Sequence, residues 1–518
     1  MNRRTIVIVA ATLAVVAGAS TAIVQPWQSS ARAALVTPTD DVVAVAEQAR
    51  AVPGAGVRQV ELVAQPASVT VAGRTVATWT FNGTVPGPQI TARAGDVVRA
   101  QVLNRLPTPL TVHWHGIVIR NDMDGVPDVT QTPIEPGGTF TYQFTVANPG
   151  TYFYHSHVGA QLDRGLYGAL VVQPGSDAAT ATPDVAVLLD DWVDGTGRSP
   201  DDVYADLRKG STMPGMSPSS TGHDMSGMDM SGMDMSGTDM SGTDTVETPT
   251  SPLGSDTADL DYPAYLINGR SPDNPAEIAV PAGQQVRLRL INAASATPFR
   301  VAVDGRQLTV VATDGYPVEP VTVDTLIIGM GERYDVTLTA PKTGTAALVA
   351  VAEGRSGQSL AVLRAGPGPS PVSDTRPTQL SGRLLTYADL HAAKADAVRA
   401  AAPDATYRID LTGNMNSYNW GVTTSAGDGT SVPVRQGQRV RLVITNRTMM
   451  WHPMHLHGHT FELVNGPTAG PRKDTVIVPP MGSVTIDVTA DNPGQWVLHC
   501  HNIYHAEAGM MTMINYVK

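Results

Sequence analysis

The chain has 518 residues, 16% of them charged, with a formal net charge of -12, a balance that argues against a nucleic-acid partner. Aromatic residues make up only 5%, while 49 glycines and 39 prolines supply turns at a density that favours an all-β plan over packed helices. A single cysteine, Cys500, excludes any disulfide within the chain.

At the N-terminus, Arg3 and Arg4 precede an uncharged apolar run from Thr5 to Val24, with Ala31-Arg32-Ala33 as a small-residue cleavage site. Residues 1–33 therefore read as a secretory signal peptide or, because the run is long enough to span a bilayer, as an uncleaved anchor. Either places the remainder outside the cytoplasm (periplasmic, cell-surface or secreted), and the arginine pair suits twin-arginine export.

One pattern then recurs three times: glycine, valine three residues on, arginine four on, an apolar residue seven on and asparagine nine on. It reads GDVVRAQVLN from Gly95, GQQVRLRLIN from Gly283 and GQRVRLVITN from Gly437. Each copy alternates like a strand and ends in a turn-prone Asn, so the three mark one strand of a repeated β-sandwich. The expected domains are 51–173, 183–364 and 380–518, with 365–379 as a linker.

Nine and eleven positions beyond Asn104 stand His113 and His115; beyond Asn446, His455 and His457; beyond Asn292, Val301 and Val303. Five and seven beyond Gly150 stand His155 and His157; beyond Gly494, His499 and His501; beyond Gly344, Val349 and Val351. Each His-x-His pair projects both imidazoles from one face of a strand, so eight histidines converge if the first and third domains face each other. Imidazole suits copper, and the middle domain reads as a metal-free copy.

Inside that domain, Met213 to Met240 form a tract in which M-S-G-x-D recurs every five residues. It is poor in large apolar groups, so a disordered insertion is expected. Soft thioethers favour Cu(I), which makes it a copper-collecting arm; a plain linker is the alternative. His223 within it and His391, in a helical-looking stretch, read as incidental. His459 is expected near the cluster without ligating, and Trp114 and Trp420 as packing residues.

The last stretch, HCHNIYHAEAGMM, holds Cys500 between His499 and His501, with His505 and Met510 following. A thiolate, two imidazoles and a distant thioether form a blue-copper electron-transfer set. Of 13 histidines, eight fill the four pairs and His452 is the natural fourth member of this set; Met511 and Met454 rank below Met510 as axial ligand. Ser156 stands where Cys500 stands, so the first domain lacks the thiolate.

HWHG, HSH, HPMHLHGH and HCHNIYHAEAGMM occur in order, along with DMDGVPDVTQ and GERYDV. In these the chain resembles the three-domain multicopper oxidases, which include laccases, bacterial cuprous oxidases and copper-resistance oxidases. The resemblance implies an all-β fold of three cupredoxin-like Greek-key sandwiches and four copper ions. It makes His113 and His455 type 2 ligands, and His115, His155 and His501 ligands of one type 3 copper. His157, His457 and His499 would hold the other, and His452, Cys500, His505 and Met510 the type 1 copper. Asp124 matches an acidic residue near the family's cluster and reads as a proton relay, with Glu507 second. Here Ala506 follows His505 directly, where some cuprous oxidases carry an acid.

The implied function is one-electron oxidation of Cu(I) in copper detoxification, coupled to four-electron reduction of dioxygen to water, with electrons entering at Cys500. A laccase-type oxidase of phenols or aromatic amines is the alternative substrate reading. A non-catalytic copper-sequestering protein is the alternative of another class, and a copper nitrite reductase ranks lower because those enzymes are built on fewer His-x-His pairs. A monomer is expected, with membrane contact only through the N-terminal segment.

Overall fold

The computed structural model describes residues 34–175, 182–210, 251–394, 401–427, 429–466 and 469–518. The N-terminal segment 1–33 and the methionine tract 213–240 with His223 lie outside them.

The three repeats become strands Val97–Asn104, Gln285–Asn292 and Arg439–Asn446. Period-two alternation decides their faces: Val98, Ala100 and Val102 are buried while Arg99 and Gln101 are exposed. Each repeat strand lies between a parallel neighbour (Val57–Val71, Asp184–Trp192 or Ala405–Asn414) and an antiparallel one (Thr139–Thr145, Arg333–Thr339 or Ser483–Thr489). The closing asparagines do more than turn the chain. Each is fully buried: Asn104 donates to the carbonyls of Thr108 and Ile134, Asn292 to those of Thr297 and Ile328, and Asn446 to those of Met450 and Pro479. Buried amides with partners pin the loop that follows.

Three cupredoxin-like sandwiches result, built from six sheets. The histidine-bearing sheet of the first runs Ile90–Arg93, Tyr167–Gln173, Gly150–Ser156, Val112–His115; that of the third runs Ser431–Val434, Met511–Tyr516, Gln495–Cys500, His452–Leu456, Thr475–Val478. The corresponding middle sheet places Phe299–Val303 against Thr345–Ala352. There the register corrects the count from Gly344. Val301 faces Ala350 rather than Val349, whereas His113 faces His155 and His455 faces His499. A one-residue slip sends Val349 and Val351 to the opposite side of the sheet from Val301 and Val303, into a separate apolar cluster.

Residues ahead of the first repeat also join the fold. Helix Asp41–Arg50 is tied down where Thr145 N donates to Glu47 and Arg50 donates to Asn492, and Val36 N donates to Tyr516 O. The stretch around His391 is not a helix in its described part. It holds one 3-10 turn, Tyr387–Asp389, opened by a Thr386–Asp389 capping box; Leu390 is then extended and Ala392 bridges to Val318.

Candidate metal centres

Directly opposed residues of an antiparallel pair share a face, so the His113–His155 and His455–His499 pairings aim four imidazoles outward from two sheets. His157, His457 and His501 lie just past their strand ends and His115 at the end of its own. The first and third sandwiches meet there: His113 stacks on His457 with centroids 3.8 Å apart, and His115 on His455 at 3.7 Å. Donor atoms fall within 4.8 Å of one another in the sets His115, His155, His501; His157, His457, His499; and His113, His115, His455.

Hydrogen bonds decide which nitrogen faces inward. Nδ1 lies 2.8 Å from the Asp124 carbonyl in His113, 2.8 Å from Ser156 O in His155 and 2.9 Å from Cys500 O in His499. It lies 3.0 Å from Asp474 O in His455 and 3.0 Å from Asp124 Oδ2 in His457. An oxygen acceptor requires N–H there, so these five turn an Nε2 lone pair to the centre. His115 is reversed: Nε2 lies 3.2 Å from Asp474 Oδ1, and Nδ1 has no partner. Burial first, then crowding by other imidazoles, pushes His115, His155, His457, His499 and His501 well below the ordinary histidine range, and His157 to about 3. Each is a neutral donor at neutral pH.

The second centre lies on the other face of Gln495–Cys500. Cys500 Sγ is 3.8 Å from His452 Nδ1 and 3.7 Å from His505 Nδ1, and those nitrogens are 3.1 Å apart. His452 Nε2 is held 2.8 Å from Thr448 Oγ1, and His505 Nε2 3.1 Å from Asp259 Oδ1. Helix Ile503–Glu507 positions His505, its N-cap Asn502 accepting from Tyr504 N and His505 N while its amide donates to Asp259 Oδ2 at 2.7 Å. Met510 is fully buried and its carbonyl accepts from Cys500 N at 3.0 Å; Met454, paired with Cys500 across the sheet, is also buried, and Met511 is 41% exposed. The Trp420 ring sits 4.2 Å from that of His505. Burial pushes the Cys500 thiol well up, so a thiolate forms there only beside a cation.

Comparison with known proteins bears on this pair of centres. Multicopper oxidase family profiles match residues 63–177, 238–367 and 401–518. The chain belongs to the multicopper oxidase family. It is 42% identical to multicopper oxidase MmcO of Mycobacterium tuberculosis over 462 residues, 88% of this chain and 86% of that protein. A copper resistance protein A homolog of Pseudomonas syringae pv. tomato is 30% identical, over 85% of this chain and 89% of its own length. Among solved structures, the laccase from Botrytis aclada superposes with a TM-score of 0.66 at 27% identity, covering 90% of this chain and 89% of that one.

The donor chemistry of this multicopper oxidase fits copper. His115 Nδ1, His155 Nε2, His157 Nε2 and both nitrogens of His501 are buried without a hydrogen-bond partner, an arrangement that costs free energy unless a metal takes the lone pairs. A cavity of about 40 Å³, room for a water or two, is lined by His155, His157, His499, His501 and Glu507. Burial raises the Glu507 carboxyl. A larger cavity of about 710 Å³ lies beside helix Asp41–Arg50 and touches none of the histidines.

Trp114 packs on Tyr142, Phe144 and Tyr154. His459 is engaged at both nitrogens, by His457 O and Tyr516 Oη. Sequence reasoning missed Thr448, Asp259, Asp474 and Thr475. Each is a single polar residue with no spacing pattern, and only its burial against a histidine marks it.

Proposed function

We propose that the protein is an exported oxidase that removes electrons singly from Cu(I) and passes them to dioxygen. In this reading a type 1 copper is held by His452, Cys500, His505 and Met510, and a type 2 copper by His113 and His455. A type 3 pair is held by His115, His155 and His501 and by His157, His457 and His499. Copper bound at these positions supplies single-electron acceptance at one end and four-electron reduction of dioxygen to water at the other. The observation that carries the reading is Cys500: its sulfur lies against His452 and His505, while its two chain neighbours belong to two different histidine triplets.

The protein's own part is to hold and deliver. Covalent continuity from Cys500 to His499 and His501 fixes the separation of the two centres. Asp124, fully buried, holds His113 and His457 in one tautomer through its carbonyl and its Oδ2, with Oδ1 3.2 Å from His113 Nδ1, and in this reading it is the first proton relay. Glu507, on the cavity wall, is the second proton relay.

Cu(I) is preferred to a phenol because His452 and His505 are each 0% exposed, beneath Trp420 and the Thr257–Asp259 segment. A buried ring edge suits a small cation better than a bulky aromatic donor. The copper resistance relative and the methionine tract point the same way. Oxygen uptake with Cu(I) and with a phenol, measured before and after deletion of 213–240, tests this. Unchanged cuprous turnover defeats the copper-collecting arm, and no uptake with either donor favours sequestration. Cys500→Ser should lose the blue absorption and nearly all turnover; retained oxidase activity would overturn the electron entry.

A further inference from the structure

Among the described residues the middle sandwich contributes no histidine to the cluster, yet it reaches it with a buried cation. Arg333 opens strand Arg333–Thr339 and is 0% exposed. Its guanidinium donates two parallel bonds to Asp474, Nη1 to Oδ1 and Nη2 to Oδ2, both at 2.6 Å. Nε donates to the Thr151 carbonyl at 3.0 Å and Nη1 to the Gly331 carbonyl at 3.0 Å. One side chain therefore ties the first, middle and third sandwiches together. A methyl on Gly116, the residue after His115, would come within 2.2 Å of Nη2 and 2.8 Å of Asp474 Oδ2, so the fork is closely enclosed.

Asp474 passes this placement on. Its Oδ1 lies 3.2 Å from His115 Nε2, and its carbonyl 3.0 Å from His455 Nδ1. Thr475 Oγ1 donates to the same Oδ1 at 2.9 Å and lies 3.1 Å from His455 Nδ1. A carboxylate with both oxygens gripped by a planar fork has one orientation, and its acceptor points at the Nε2 of His115.

We propose that Arg333 is a positioning residue for the histidine cluster: by orienting Asp474 it makes His115 present Nδ1, the reverse of its neighbours, and fixes His455 with it. The inference rests on the copper reading above. It gives the metal-free sandwich a role at the site, and it explains why His115 departs from the other rings. Lysine cannot replace the arginine, because an ammonium is a point charge without the bidentate fork.

The test compares the full-length protein with Arg333→Lys and Asp474→Asn, each loaded with copper and dialysed. Copper per chain, the paramagnetic resonance of the type 2 site and the blue absorption are measured, with thermal unfolding of the copper-free forms beside them. Arg333→Lys should weaken cluster copper about 10- to 100-fold and shift the type 2 signal, with the blue absorption retained. Wild-type copper retention and an unshifted type 2 signal in Arg333→Lys would overturn the proposal, even if the copper-free variant melted earlier. Should Arg333→Lys fail to fold, Asp474→Asn decides by the same signals. A wild-type protein that takes up no cluster copper defeats the oxidase reading itself, a result distinguishable from failure of the clamp.

Discussion

Gly331→Ala offers a sharp test of how closely the middle sandwich approaches the cluster. Gly331 has φ +84, a conformation that costs an L-residue about 1–2 kcal/mol. A Cβ there would stand 2.9 Å from His501 Cδ2, closer than real methyl groups come, and 3.0 Å from His115 Cε1, a tight contact that a small shift relieves. Overpacking of this kind adds about 1–3 kcal/mol when the neighbours cannot move. Without copper the nearer of the two can: His501 has no hydrogen-bond partner at either nitrogen and its ring can turn, while His115, held at Nε2 by Asp474, stays at the looser contact. The copper-free variant should therefore lose mainly the backbone part, about 1–2 kcal/mol, or about 1–2 °C in melting temperature for a folded unit of this size. In the loaded protein, where metal holds both rings, the steric part returns and copper should bind roughly 5- to 150-fold more weakly. Thermal unfolding with and without copper, with a copper titration, measures both. Equal melting shifts in the two forms, with unchanged copper affinity, would refute the reasoning.

Two further predictions concern buried carboxylates. Asp259→Ala strands the Tyr418 hydroxyl and the Asn502 amide, which bond Asp259 Oδ2 at 3.0 and 2.7 Å; at about 1–3 kcal/mol per orphaned donor, chemical denaturation should show a loss of about 2–6 kcal/mol. A loss below 1 kcal/mol would mean that the pair finds other partners. Asp191, buried and accepting from Ser295 N and Ala296 N, has its carboxyl raised from 3.8 to about 6, chiefly by burial. The folded state thus binds this proton more tightly than the unfolded one. Its contribution is fully present below pH 4 and is lost as pH rises to 6, about 3 kcal/mol in all. Asp191→Asn should flatten that slope in unfolding free energies taken at several pH values; an unaltered slope assigns it to another group.

Much of the architecture was legible because it is local. The three Gly-x-x-Val-Arg strands announced themselves through period-two alternation, a property of adjacent residues, and the structure places all three at one position in equivalent sheets. Where reading went astray, the missing information was non-local. Counting from Gly344 matched Val349 to a histidine position, but strand register depends on the partner strand, which selects Ala350. The stretch around His391 carries helix-forming residues, and a capping box starts a turn at Thr386, yet its described part does not continue as a helix: Leu390 is already extended and Ala392 pairs with Val318 instead.

The metal centres divide the same way. The His-x-His spacing and the His-Cys-His tripeptide by themselves determined that pairs of imidazoles share a face and that a thiol lies on the opposite one, since strand geometry dictates both. Which three histidines share a point, and which nitrogen each presents, was decided only by the docking of sandwiches: His113 meets His455 across 342 positions of chain, and His115 meets Asp474 across 359. Asp474 and Asp259 are ordinary charged residues in the sequence, and Arg333 stands in GERYDV with no role legible from the motif. Their burial against histidines, with every bond directional, is a property of the assembled interior, because only there does an unpaired charge cost enough to force one arrangement.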